Sequence, residues 1–165
     1  MARWRPVSSS LRAAFIAASL AWAGLLVVAP FLASRAHASP LASVLIVGVY
    51  GIGSLICHQL PERSYQLWAA QMPVCARCAG IYWGAVLGAL AARAVQASGR
   101  RSAASLALLR PRAVLTLAVA PTLLTLVYEW TTGDMPSHAI RAAAGLPIGL
   151  VVAWLVVAAA DNRVD

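Results

Sequence analysis

The three cysteines of this chain and one of its histidines fall within 22 residues: Cys57 and His58 are adjacent, and Cys75 and Cys78 form a C-x-x-C pair. Thiolate and imidazole are ligands for zinc, and a C-x-x-C pair often supplies half of a tetrahedral zinc shell. Cys57, His58, Cys75 and Cys78 are therefore a candidate four-ligand set for a soft or borderline divalent metal, zinc first. Neighbouring side chains point apart in a strand or helix, so Cys57 and His58 can both ligate only if the backbone turns between them. If one of them stays out, three protein ligands remain and one position is open, as in catalytic zinc or a soft copper site. The same residues suit a second chemistry. A C-x-x-C at a helix N-terminus has a depressed thiol pKa, helped by the macrodipole and here by Arg77, and Cys57 would resolve its disulfide. That would make the chain a membrane thiol–disulfide oxidoreductase or a redox sensor. A third reading has three reduced cysteines that merely pack. It is weakened because all three stand at the edges of apolar runs and not at their centres.

The elements that carry these residues are apolar. Of 165 residues, 61% are hydrophobic and 11% charged, with a mean hydropathy of +0.77. A soluble domain carries about 25% charged residues. Such a surplus has no place in a small soluble core, which predicts an all-α, polytopic transmembrane helix bundle with the lipid bilayer as solvent. All 13 basic residues are arginine, and they lie in short segments between apolar runs. Despite the net charge of +8, that placement argues for membrane flanks and against nucleic-acid binding.

Five runs follow. Leu11 to Leu32 reads as a first span, with Ala36-His37-Ala38 offering the alternative of a signal-like segment, although its apolar stretch is long for one. Leu41 to Cys57 is a second, near the minimum length for a span. Residues 58–74 connect it to a third run, from near Pro73 to about Val95, with Pro73 placed in the first helical turn. A basic connector, 98–112, leads to the fourth run, Ala113 to Trp130, where Pro121 predicts a kink. Residues 131–136 turn the chain, and Ser137 is a candidate cap for the fifth run, Ala139 to Ala160. Residues 1–40 thus form an N-terminal segment, 41–160 a multi-span domain and 161–165 a short tail. In the third run Cys75, Cys78 and Tyr82 share one face, and Gly80, Gly84 and Gly88 lie roughly opposite. Those glycines would pack on a helix of the same chain or of a second copy, giving a homo-oligomer.

Two spans separate the 58–74 connection from the 131–137 turn, so both must lie at one membrane surface whatever the overall orientation. Glu129, Asp134, His138 and Arg141 therefore join Cys57, His58, Arg63, Cys75 and Cys78 there, with Glu129 and Arg141 as a candidate pair. Gln59, Arg63, Arg77 and Tyr82 are accessory polar candidates, and Arg63 and Arg77 would suit an anion or a lipid headgroup. Lipid or small-molecule handling through Arg63, Glu129 and Arg141 is a further reading. Five arginines between Arg93 and Arg112 favour a cytoplasmic connector and a cluster on the outer side of the cytoplasmic (inner) membrane; the N-terminal arginines pull the other way.

The pieces CHQLPERS (57–64) and PVCARCAGIYWG (73–84) resemble the signature of a family of small prokaryotic membrane proteins of the DUF2085 type, approximately C-H-Q-x-P-x-R-S and then P-V-C-x-R-C-x-G-x-Y-x-G. The resemblance covers about residues 45–150, with the first 40 as an addition. It implies an Asp-Gly pair near the end of the following helix, where this chain has Tyr128-Glu129-Trp130, and an arginine and a glycine in the last helix, retained as Arg141 and Gly145. The carboxylate is kept but sits one methylene further out. The resemblance strengthens the site and carries no activity with it.

Overall fold

The computed structural model describes residues 7–35, 39–98 and 111–161. Among them are five α-helices: α1 (Val7–Ala33), α2 (Pro40–Ile56), α3 (Ala76–Ala97), α4 (Pro111–Thr132) and α5 (His138–Asp161). Between α2 and α3 lie a 3-10 turn (Pro61–Arg63) and a two-stranded antiparallel hairpin, β1 (Gln66–Leu67) and β2 (Ala70–Gln71). The fold is the expected all-α bundle. Four helices, α1, α3, α4 and α5, are long and apolar enough to cross a membrane by length and composition; α2 has 17 residues and is a shorter apolar helix. Much apolar surface points outward, as a lipid solvent requires: Leu117 is 76% exposed and Leu124 70%. Ala36-His37-Ala38 and most of the basic connector lie outside the described residues.

Caps fall where the sequence supplies them. Ser39 Oγ accepts from Ala42 N–H at 3.3 Å before α2, and Ser137 Oγ accepts from Ile140 N–H at 3.4 Å at the start of α5. Pro73 does not occupy the first turn of α3. It is buried ahead of the helix, and Cys75 in extended conformation is the N-cap.

The tightest pairing is α3 against α5. A Cβ on Gly80, Gly84 or Gly88 would overlap the carbonyls of Ala142, Leu146 and Leu150, and one on Gly145 or Gly149 would overlap those of Arg77 and Ile81. Both series rise together, so the two helices run parallel and start at the same end. Lipid tails are as apolar as side chains, so helices associate through such close approach and not through a hydrophobic drive. The glycine face is thus filled from within the chain. The backbone of α5 occupies the groove left by Gly80, Gly84 and Gly88.

Helix α4 returns antiparallel to α5, and its Thr122 Oγ1 donates to Ala144 O at 2.7 Å. Helix α1 closes the bundle: Ile16 packs with Ala89, Ala92, Ala153 and Val157 at one end, and Leu26 packs with Cys57, Met72, Val74 and Ala79 at the other.

Candidate metal-binding thiol site

Cys57 is the C-cap of α2, Cys75 the N-cap of α3, and Cys78 lies in the first turn of α3. Their three sulfurs lie within 4.8 Å of one another, and all three thiols are free. Cys75 N–H donates to Cys57 Sγ at 3.2 Å, which ties the end of one helix to the start of the next.

A polar clamp sets that junction. Gln59 Nε2 donates to Tyr50 O at 2.8 Å and to Pro73 O at 2.7 Å, and its own carbonyl accepts from Gln71 Nε2 at 2.5 Å. Tyr50 Oη donates to Gln71 O. Gln59 reaches these partners with φ at +50°, a left-handed conformation that a non-glycine residue adopts at some cost. Gly53 is buried where Pro73 O meets α2, so no side chain fits there. Gln59, an accessory candidate from sequence, joins α2 at Tyr50 to the segment ahead of Cys75 at Pro73.

His58 does not join the cysteines within that 4.8 Å group. Cys57 is extended, with φ −147° and ψ 138°, and an extended chain sends successive side chains to opposite sides. Cys57 therefore turns inward and is 8% exposed, while His58 points outward and is exposed. Of the four expected ligands the structure brings together three.

The thiols form one wall of a cavity of about 350 Å³, shared with His58, Gln59, Arg63, Arg77 and Arg141. Behind it lies a buried ion triad. Glu129 Oε1 accepts from Arg77 Nη2 at 2.7 Å and faces Arg141 Nε at 3.3 Å. The Glu129–Arg141 pair is present as expected, with Arg77 as the closer partner of the carboxylate. Thr125, four residues before Glu129 and on the same helix face, also accepts from Arg77 Nη2, at 3.1 Å; that i, i+4 spacing was the signal for it. Tyr82 packs edge-on against Trp22 of α1, centroids 5.9 Å apart, beside Cys75 and Cys78. Trp22 and Leu26 carry no sequence mark of a role at the site. His138 lies against the Tyr65 ring at 5.3 Å, outside the cavity lining, and Asp134 is exposed.

The electrostatics favour a thiolate at Cys75. Donation from the Cys78 thiol, supported by the Cys78 and Arg77 backbone N–H groups and by Cys57, outweighs burial and holds the Cys75 thiol down to about 5. Three thiols with one already ionised near neutrality can bind a thiophilic cation or take part in thiol–disulfide exchange.

Fold and site together define a multi-pass helical membrane protein with a thiol cluster at one end of its bundle. Residues 57–155 match the family described as "Predicted membrane protein (DUF2085)", and the chain belongs to that family. An uncharacterised protein of Methanothermobacter thermautotrophicus is 32% identical over 100 residues, 61% of this chain and 83% of that protein. Another, of Methanocaldococcus jannaschii, is 41% identical over 61 residues; the match spans 37% of this chain and 39% of that relative's length. No solved structure matches the chain.

Proposed function

We propose that this chain is a multi-pass protein of the cytoplasmic membrane that holds a divalent metal, zinc first, on Cys57, Cys75 and Cys78, with the fourth position open to the cavity. The convergence of the three sulfurs within 4.8 Å carries the reading. Zinc–sulfur bonds of about 2.3 Å set tetrahedral sulfurs about 3.8 Å apart, which falls inside the 4.8 Å that bounds this cluster. His58 stands on the cavity rim and is the imidazole nearest in sequence for a fourth ligand, should the extended backbone at Cys57 turn. An open position would serve to bind, activate or pass on a ligand of the metal. Elemental analysis of purified protein tests the reading: about one equivalent of metal in the wild type and its loss in Cys75→Ser are expected. A folded, fully reduced preparation free of metal would sink it.

Thiol–disulfide exchange is the second reading, supported by the depressed Cys75 thiol beside Cys78 and Cys57. It predicts a Cys75–Cys78 disulfide that cycles with reductant. Cysteines that resist alkylation until a chelator is added would decide for metal.

A further inference from the structure

Arg141 heads the largest fully buried side chains among the described residues, at 1% exposed. Among those residues its guanidinium makes one polar contact, the 3.3 Å approach of Nε to Glu129 Oε1, and that Nε has no hydrogen-bond partner. The same carboxylate oxygen is already committed to Arg77 at 2.7 Å. The Nε atoms of Arg63 and Arg77 are also buried without partners. All three arginines line the cavity beside the thiols, whereas Glu62 and Asp134 are exposed and lie outside the lining. Three guanidiniums therefore border one cavity, and the carboxylate that pairs with any of them is Glu129, on Arg77 and Arg141. Positive charge is left over beside the thiols, where an unpaired buried cation is costly.

We propose that this cavity binds a phosphate-type oxyanion, held by Arg63, Arg77 and Arg141 next to the thiol cluster. The guanidiniums arrive from three directions: the 3-10 turn, the start of α3 and the start of α5. A carboxylate offers its two oxygens in one plane, whereas a tetrahedral phosphate presents oxygens out of plane to donors arriving from several directions. A phosphodiester or a phosphate anion supplies the negative charge these guanidiniums lack. The anion can come from a lipid headgroup or from free phosphate. The cavity opens at the end of the bundle, where headgroups lie, and Ile56 and Leu60 on its lining are 52% and 39% exposed.

The test is calorimetric titration of the full chain in neutral detergent, with inorganic phosphate in one arm and a short-chain phosphatidylglycerol in the other. Saturable binding in either arm is expected and names the source. Arg141→Gln and Arg63→Gln should each weaken it about tenfold, the loss of a charge-assisted hydrogen bond. Arg63 sits on a loop turn, so its variant carries the test if Arg141→Gln does not fold. Metal content measured on the same samples should be unchanged by Arg63→Gln, so failure of the anion site and absence of metal are read separately. The proposal is overturned if neither ligand binds saturably, if folded variants bind like wild type, or if acetate binds as tightly as phosphate.

Discussion

Glu129→Gln removes the one negative charge that two buried guanidiniums share. Glu129 is 8% exposed, and the side chains of Arg77 and Arg141 are 12% and 1% exposed. Deleting one partner of a buried ion pair costs about 3–5 kcal/mol, chiefly because the other charge is left uncompensated. Glutamine keeps an acceptor oxygen for Arg77, which places the expected loss at the lower end, about 3 kcal/mol. For a chain of this length each kcal/mol moves Tm by about 2–4 °C, so a fall of about 6–12 °C is expected. Thermal unfolding in detergent, followed with a thiol-reactive dye at a fixed scan rate, reads it out, because Cys57 is buried and Cys75 and Cys78 are half-buried in the folded chain. A second variant tests the cause. Adding Arg141→Gln to Glu129→Gln removes the stranded cation and should recover part of the loss, a non-additive result for residues in one network. A Glu129→Gln protein melting within about 2 °C of wild type, or a double variant weaker by the sum of the two single losses, refutes the buried-charge account.

Three further outcomes follow from the same geometry. In metal-free protein, alkylation of Cys75 by iodoacetamide should reach half its limiting rate near pH 5 and not near the ordinary thiol value of 9.0. The native state sheds this proton before the unfolded chain does, so the contribution of Cys75 to stability grows with pH between those two values and is lost as acid passes 5, while the Cys78 thiol, hydrogen-bonded to Cys75, opposes it above 9; a half-point above 8 contradicts the thiolate assignment. Gly84→Ala should cost about 1–3 kcal/mol, since its Cβ would strike Leu146 O, whereas Gly48→Ala, with nothing within 4 Å, should leave Tm unchanged; equal melting of the two variants counts against the α3–α5 contact. His58→Ala should retain the metal stoichiometry of wild type while Cys57→Ser lowers it, and loss of metal in His58→Ala would show that the histidine closes the shell.

The helices were legible because their signals are long and redundant: an apolar run of about 20 residues tolerates an error of several at each end. Helix parity was equally robust. It needed only the number of spans between two loops to put Glu129 and Arg141 at the end of the bundle that holds the cysteines, and in the structure Arg141 lines their cavity and pairs with Glu129. The 58–74 connection was not legible. Its hairpin turns at Trp68 and Ala69, with φ of +51° and +62°, positions where asparagine or glycine is the usual signal. Trp68 stacks edge-on against Phe31, centroids 5.2 Å apart, and that tertiary contact stands in for the missing local cue. Pro73 failed as a helix-start mark for a similar reason: its carbonyl is held by Gln59, fourteen residues back, and the helix waits until Cys75.

Ligand type was visible in the chain, but closure of the shell turned on one dihedral pair. An extended Cys57 faces inward and commits His58 to the rim, and no spacing rule reports that. Arg77 shows the same limit. Its place inside C-x-x-C suggested a role toward the thiols, yet its side chain runs to Thr125 and Glu129 of α4. Helix geometry reconciles the two. The first turn of α3 sets Cys78 against the cluster that holds Leu26 of α1 and sets the Arg77 carbonyl against Gly145 of α5. The glycine contacts that lock α3 to α5 also fix how far Arg141 stands from Arg77, and therefore how much positive charge borders the thiols. A substitution in that groove, many residues from any cysteine, should shift the charge balance of the site as well as the stability of the bundle.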